Sequence, residues 1–442
     1  MLQKLRIFLA WLIMSLFIVL FLGWVRDVPV AKIEFLPSLL AGNLMAVGAL
    51  LFLALLLGRM YCSVLCPLDI MQDAIIWLAN HGRKIPRFHY LPARNRLRAY
   101  ILLATGAAFV LGFSVLPVIL DPYSIFGRMM TNIFSPLFQV GHGFLAVQLE
   151  QAGYSWLTRE DFVWLGAESL ILAAAYLSAL GYVSWRWGRL YCHTICPVGS
   201  ALGTVSRHAA LRLQIDAEKC VSCGLCEKSC RSSCLDAKEH FIDHSRCVMC
   251  GDCQAACPKG AISLRLAWGQ EKENKSGAAG AMPRRQFLGE TLAAAGLILA
   301  AGWQGKKANA SASAAPVMPP GALSSENFHA SCTACQLCVD QCPHKVLSPS
   351  VAAYGLEGFM QPRLDFSHGY CGYDCTHCSD ICPAGALQPM DIKDKQRLQI
   401  GKAVYEPAHC LPQYGRGSLS SLRADLPSDT PFPEGRQRTA GD

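Results

Sequence analysis

Cysteine is the residue type with the clearest chemical pattern in this sequence, because most of its copies recur at fixed short spacings. The chain has 442 residues and 22 cysteines, and four ladders of four cysteines account for sixteen of them. Three ladders read C-x2-C-x2-C-x3-C, and the fourth opens with x3 instead. The ladders are Cys220, Cys223, Cys226 and Cys230; Cys247, Cys250, Cys253 and Cys257; Cys332, Cys335, Cys338 and Cys342; and Cys371, Cys375, Cys378 and Cys382. This spacing is typical of 4Fe-4S ferredoxins, whereas zinc sites favour two C-x2-C pairs across a longer spacer.

Ladders of this type exchange their last ligand, so that three cysteines hold one cluster and the fourth reaches the neighbouring cluster. We therefore expect Cys257 to join the first three cysteines of its partner ladder and Cys230 to join the other set. In the second pair of ladders, Cys382 and Cys342 exchange in the same way. The sequence thus predicts four 4Fe-4S clusters. Cys234 is an alternative ligand to Cys230, because Arg231 stands where proline is usual.

Four further cysteines belong to an internal repeat. Residues 58–67 read GRMYCSVLCP and residues 188–197 read GRLYCHTICP, with identity at six positions. Two related hairpins would bring Cys62, Cys66, Cys192 and Cys196 to one depth, where four thiolates suit an additional metal centre. Two pairs of buried thiols that only pack remain the alternative. Cys410 is left without an assignment.

The elements that must position these cysteines are hydrophobic. Apolar residues make up 52% of the chain and charged residues only 16%, at a formal net charge of +8. Uncharged or nearly uncharged stretches cover residues 7–24, 35–58, 99–120 and 162–185, each long enough to cross about 30 Å of hydrocarbon as a helix. The basic residues gather beside these stretches rather than in one patch, which argues against a nucleic-acid partner.

The distribution of basic residues predicts the orientation of the four spans. The connection 59–98 holds seven Lys or Arg residues, and the connection 121–161 holds two. By the positive-inside rule, the first connection is cytoplasmic and the second is external. Both ends of the four-helix unit then face the cytoplasm.

The predicted fold class is multi-domain, with an α-helical membrane unit of four spans and two small α+β, bacterial-ferredoxin-like modules of two clusters each. The predicted domains are the membrane unit (1–190), a cytoplasmic module (191–268), a linker (269–283), a twin-arginine-like apolar segment (284–303), a second linker (304–325), a second module (326–392) and a tail (393–442) that is largely disordered from 411.

The apolar segment between the modules begins with Arg284 and Arg285 and runs to Trp303. It resembles a twin-arginine export signal placed inside a chain, and such a signal would put the second module on the periplasmic side. An ordinary helix that follows two arginines by chance is the alternative. Lys306 and Lys307 directly after the run count against export.

Four spans with paired G-R-x-Y-C-x3-C-P blocks and a two-cluster module resemble the NapH family, the membrane subunits of quinol dehydrogenases that feed periplasmic nitrate reductase. Residues 284–389 are similar to NapG, the exported iron-sulfur partner of NapH. This resemblance, which covers residues 1–390, implies a protein of the bacterial inner membrane with the quinone pool as substrate and a periplasmic redox partner protein. NosR-like and CcoG-like proteins share the membrane blocks but serve other acceptors, so the acceptor does not carry over.

Quinol oxidation releases two protons and therefore needs a base. Glu168, near the start of the fourth span, and His142, in the external connection, are the candidate proton acceptors. The alternatives are an interfacial acid that snorkels to the membrane surface, for Glu168, and a solvated loop residue, for His142. Two other functions stay open at this point: a CcoG-like redox-sensing or assembly protein without quinol oxidation, and a membrane scaffold whose clusters are structural.

Overall fold

The computed structural model describes residues 2–25, 29–81, 88–110, 112, 114–154, 165–266, 316–351, 353–355, 357–367 and 369–400. The predictions on the linker 269–283, on the twin-arginine-like segment and on Cys410 lie outside these residues. Within the described ranges, residues Met1–Leu398 belong to one compact unit, so the helices and both cysteine-rich modules pack together.

The N-terminal half is helical. Its helices, in chain order, are α1 (Leu2–Phe21), α2 (Phe35–Leu40), α3 (Leu44–Leu57), α4 (Met60–Val64), α5 (Pro67–Asn80), α6 (Asn95–Val110), α7 (Val115–Leu120), α8 (Pro122–Met129), α9 (Ser135–Gln151), α10 (Ala167–Trp187), α11 (Leu190–Thr194) and α12 (Pro197–Ser206). A 3-10 turn (Pro29–Ile33) precedes α2, and a π turn (Met130–Phe134) joins α8 to α9.

Two of these helices are long and apolar enough to cross a membrane, namely Gln3–Phe21 within α1 and α10. The other two predicted spans are each divided into two helices in the structure. The stretch 35–58 breaks between α2 and α3, where Gly42 has φ +70° and Asn43 caps α3 by accepting a hydrogen bond from the Ala46 N–H. The stretch 99–120 breaks between α6 and α7, next to Gly112. Hydropathy alone does not detect such breaks, because glycine is neutral on that scale.

The two repeat blocks have the same backbone path. α3 and α10 end at Gly58 and Gly188, whose φ angles are +69° and +71°. A short helix follows each glycine, and a proline then begins α5 or α12 at its first position, where the missing N–H costs nothing. The sequence repeat is therefore also a repeat of structure.

Each cysteine-rich module is built from short strands and helices. In the first module, β1 (Leu211–Ile215) pairs antiparallel with β4 (Ile262–Leu266), and β2 (Leu235–Asp236) pairs with β3 (Phe241–Ile242). Helices α13 (Leu225–Ser229) and α14 (Asp252–Ala256) lie between the strands in sequence. The second module holds α15 (Ser325–Ser331), α16 (Leu337–Asp340), the antiparallel pair β5 (Leu347–Pro349) and β6 (Pro362–Leu364), α17 (His377–Ile381) and α18 (Ile392–Arg397).

The two modules contact opposite ends of α1. Gln3 Nε2 donates to Asp252 Oδ1 of the first module at 2.8 Å, and Gln341 Nε2 of the second module donates to the carbonyl of Leu20. Because a helix rises 1.5 Å per residue, the two contact points on α1 are about 26 Å apart. The helical unit therefore separates the two modules.

Candidate metal centres

The first module has one cavity lined by cysteines from both of its ladders. Cys220, Cys223 and Cys226 share this cavity with Cys257. Local backbone conformation explains the arrangement: Ser222 and Gly224 both have positive φ, so the chain curls around the cavity before α13 begins. Met249 and Gly251 repeat these conformations before α14. The cysteines that share the cavity are those predicted to hold one cluster, and the ligand assignment itself stays a prediction.

A second cavity in this module is lined by Cys230 and by the three leading cysteines of the other ladder, together with Cys234. The Sγ atoms of Cys230 and Cys234 are 3.6 Å apart, so either can reach the same site. The side chain of Cys234 also interacts with that of Cys247. The choice between Cys230 and Cys234 as the fourth ligand therefore stays open.

In the second module, the last cysteine of each ladder again lies near the first three cysteines of the other ladder. Cys332, Cys335 and Cys338 line a cavity with Cys382. Cys378 has Cys371, Cys375 and Cys342 among its electrostatic neighbours. Lys395 Nζ donates to Cys371 Sγ at 3.0 Å. Among the described residues, no three Cys, His, Asp or Glu side chains converge as tightly as one bound ion would require.

The four repeat cysteines are buried together in the helical unit. Cys62, Cys66, Cys192 and Cys196 are each at most 5% exposed and belong to one apolar core. That core also includes Val248, which lies between two ladder cysteines of the first module, and Cys335 of the second. Gln72 Nε2 donates to Cys192 Sγ at 3.0 Å, and the Gly199 N–H donates to Cys196 Sγ at 3.3 Å.

The cysteine sites agree with family models of iron-sulfur proteins. A "4Fe-4S binding domain" model matches twice, at residues 39–86 and 170–215, and so covers both repeat blocks. A "4Fe-4S dicluster domain" matches residues 219–261, and a further "4Fe-4S binding domain" matches residues 329–355. No solved structure matches the chain.

Relatives with known names point the same way. The methylamine utilization ferredoxin-type protein MauN of Paracoccus denitrificans is 29% identical over 48% of this chain and 57% of its own length. The ferredoxin-type protein NapH of Haemophilus influenzae is 24% identical over 41% of this chain and 50% of its own. The ferredoxin-type protein MauM of Methylorubrum extorquens is 34% identical over 27% and 56%. The chain is similar to ferredoxin-type proteins, NapH among them. It spans about half the length of these relatives.

Burial sets the protonation of the thiols in this NapH-like chain. It raises the pKa of Cys196 to about 12 and that of Cys226 to about 11. Both thiols therefore hold their protons at neutral pH until a metal replaces them, since cysteine binds metal as the thiolate. A nearby positive charge would favour that exchange in the helical core.

The predicted proton acceptors lie at the surface of the helices. Glu168 is exposed in the first turn of α10, and His142 is half-buried in α9 with its ring 5.8 Å from that of Phe138. Leu172, one turn beyond Glu168, packs near Ala334 and Met360 of the second module. Glu168 therefore lies toward the end of the NapH-like helical unit that contacts the second module.

Two further acids near the same end are buried, and the sequence patterns did not indicate them. Glu34 is 3% exposed and accepts a hydrogen bond from the Tyr61 hydroxyl, and Asp121 is 1% exposed and caps α8 through Ser124. Burial raises the pKa of Glu34 to about 8 and that of Asp121 to about 6. The sequence signal that could have identified Glu34 is its position directly before an apolar stretch.

Proposed function

We propose that this chain is a membrane-bound electron-transfer protein that passes electrons from a quinol to a periplasmic acceptor through 4Fe-4S clusters. The donor is the membrane quinone pool, and the acceptor is a soluble redox partner protein. The chain lies in the bacterial inner membrane with several spans. Its first module faces the cytoplasm, and its second module faces the periplasm.

The observation that carries the proposal is the position of the two modules at opposite ends of α1. Two cysteine-rich modules on one side of the membrane would not need an apolar helix between their contact points. The named relatives support electron transfer as the general activity, since their names describe ferredoxin-type proteins.

The cysteines fit the groups that this function requires. Cavities lined by four or five cysteines and by apolar residues provide thiolate ligands and few competing polar atoms. When bound, each 4Fe-4S cluster accepts and releases one electron. Cys62, Cys66, Cys192 and Cys196 would hold a fifth centre between the modules.

The protons that the quinol releases would be accepted by residues at the end of the helical unit that contacts the second module. Glu168 and His142 are the proposed acceptors, and Glu34 is a third candidate because it is buried beside Tyr61. An acid with a pKa of about 8 takes up a proton readily at neutral pH only after it has lost its own. Glu34 would therefore act as a proton relay, which releases its own proton before it accepts another, and not as an ionised base.

The experiment is reduction of purified, anaerobic protein by a short-chain quinol, followed by the loss of iron-sulfur absorbance and by spectra that distinguish the clusters. We expect quinol to reduce clusters of the wild-type chain, and Glu168→Gln to slow this step without changing the iron content. Full iron content without reduction by quinol would instead favour a redox-sensing or assembly protein. That function predicts a defect in a partner's cofactor when the chain is absent.

Sidedness needs a separate test. A reporter that is active only outside the cytoplasm, fused after Pro320, should be active in the native chain. It should become inactive when Arg284 and Arg285 are both changed to Lys, because lysine keeps the charge but not the guanidinium that the export receptor reads. Activity that survives this change would indicate an ordinary span. Inactivity in both chains would place all clusters in the cytoplasm and contradict the proposal.

A further inference from the structure

We propose that Arg59 is the counter-charge of the centre held by Cys62, Cys66, Cys192 and Cys196. Its guanidinium would offset the negative charge of four thiolates and thereby raise the reduction potential of that centre. The inference rests on the proposed function, because it requires the fifth centre. It adds a specific residue that sets the potential.

Arg59 is fully buried and points at the cysteines. Its Nη2 lies 3.6 Å from Cys62 Sγ and donates to the carbonyl of Cys192 at 3.0 Å. Its Nη1 donates to the carbonyl of Ser245 in the first module at 3.2 Å, while Nε has no partner. In the described part of the chain, Arg59 forms no ion pair with a carboxylate. A buried guanidinium with only carbonyl and sulfur neighbours is costly unless an anion is added.

The second repeat provides an internal comparison. Arg189 occupies the position equivalent to Arg59, 130 residues later, and is equally buried. It forms ion pairs with Asp69 at 3.3 Å and with Asp73 at 2.5 Å. Its charge is therefore balanced by carboxylates of the first repeat.

The positions equivalent to those two aspartates are glycines. Adding 130 to 69 and 73 gives Gly199 and Gly203. A Cβ atom on Gly199 would lie 2.6 Å from Arg59 Nη2, and one on Gly203 would lie 2.5 Å from Arg98 Nη2. No side chain fits at either position, so Arg59 lacks the ion pairs that Asp69 and Asp73 form with Arg189, and Asp69 acts on Arg59 only beyond ion-pair distance. The asymmetry leaves an arginine without an ion pair beside the cysteines in only one half of the repeat.

The missing anion matches the centre in both sign and place. An iron-sulfur centre with four thiolate ligands is net negative, and reduction adds one further negative charge. A fixed positive charge at contact distance in a poorly solvated core therefore favours the reduced form. Removal of that charge lowers the potential, and in the limit it prevents assembly of the centre.

The test compares three variants of the purified, anaerobic full chain by iron and sulfide content and by a redox titration followed with EPR. Arg59→Gln should shift the potential of the central centre to more negative values or remove the iron of that one centre. Arg59→Lys keeps the charge and should retain the centre with a smaller shift. Arg98→Gln is the matched control, because Arg98 also binds the Ser245 carbonyl, at 3.2 Å, but contacts no repeat cysteine.

Unchanged potential and iron content in Arg59→Gln, or an equal effect of Arg98→Gln, would overturn the inference. If Arg59→Gln does not accumulate, Arg59→Lys decides: a retained centre supports the counter-charge, and a lost centre contradicts it. The double variant Cys66→Ser, Cys196→Ser tests separately whether the fifth centre of the proposed function exists. If that double variant keeps the iron and every EPR signal of the wild type, the fifth centre of the proposed function is absent, whatever Arg59 does.

Discussion

The two cysteine-rich modules bind the helical unit by different chemistry. At the N-terminal end of α1 the contacts are ionic: Asp73 pairs with Arg6, Arg189 and Arg231 at 3.4, 2.5 and 3.2 Å, and Arg231 also reaches Asp252 of the first module at 2.8 Å. At the other end the contacts are neutral. These are Asn132 Nδ2 donating to Gln336 Oε1 at 2.6 Å and Ser114 Oγ donating to the Glu357 carbonyl at 2.8 Å.

The acids at the two ends differ in the same way. Burial acts to raise the pKa of Asp73, but Arg189, Arg231 and Arg6 outweigh it and hold that pKa at about 2. Glu34 and Asp121 have no such set of cations, and burial raises their pKa values to about 8 and about 6. Asp73 therefore stays ionised among arginines at the first-module end, whereas burial favours the protonated forms of Glu34 and Asp121.

The largest expected effect is the loss of the ionic contact. Asp73→Asn leaves three buried or half-buried arginines without their shared carboxylate, which costs about 3–5 kcal/mol of unfolding free energy for a buried pair. Thermal unfolding of the purified protein measures this loss. Asp216→Asn removes a more exposed carboxylate from Arg265 and should cost less than about 1 kcal/mol. Equal effects of the two changes would contradict a special role of Asp73 in fixing the first module to the helical unit.

A steric change should separate the second module. A Cβ on Gly127 would lie 2.2 Å from the carbonyl oxygen of Cys335, so Gly127→Val forces α8 and the ladder loop apart. The overpacking costs about 1–3 kcal/mol, and hydrogen exchange of residues 332–342 should become faster while the iron content stays unchanged. Gly143→Val is the control, because nothing lies within 4 Å of a Cβ there. Unchanged exchange in Gly127→Val would contradict the contact.

A smaller loss of unfolding free energy is expected when one neutral hydrogen bond is removed. Asn132→Ala removes the partner of the buried Gln336 side chain, which costs about 1–2 kcal/mol. Because no charge is involved, the loss should be the same at low and high salt, whereas salt should weaken the Asp73 contacts. The measurement is the protection of residues 332–342 at two ionic strengths. A salt-dependent loss in Asn132→Ala would show that charge acts at this end as well.

The last expected effect is a pH dependence of stability. The folded pKa of Glu34, about 8, lies above its ordinary value of 4.5, so its contribution to stability is complete below about pH 4.5 and is lost as the pH rises through 8. Glu34→Gln should flatten the decrease of the unfolding temperature between about pH 5 and pH 9. The same decrease in wild type and variant would mean that another group titrates.

The sequence carries more information about the cysteines than about their surroundings, because ladder spacing and the decapeptide repeat are local patterns. Three of the four predicted ligand sets line cavities and the repeat cysteines share one core, while the assignment of ligands to clusters stays a prediction. Partners more than a hundred residues apart, such as Arg59 with Cys192 and Arg189 with Asp69, have no local signal. Charge counting treated Arg59 as a loop charge at the membrane face, and in the structure it is fully buried.

The lack of a local signal also explains why the sequence did not predict the break between α2 and α3 or the positive φ of Gln336. Hydropathy averages over Gly42, where a predicted span is divided, and it gives no weight to a short polar residue that caps a new helix. Gln336 has a φ of +62° at the position where two other ladders have glycine, so composition gave no reason to expect a turn of that kind. Its contacts with Asn132 and with Thr131 hold it there.

The two repeat blocks also have a consequence for the ancestry of the chain. Two identical hairpins related by a two-fold axis would have to carry the same residue at both equivalent positions, so each arginine would meet the same neighbour. Here Arg189 pairs with aspartates, whereas glycines stand at the equivalent positions near Arg59. A homodimer of single hairpins could not have this arrangement. In a single chain that holds both copies, each half can carry different residues, and here the charge around the four repeat cysteines is divided unequally between the halves.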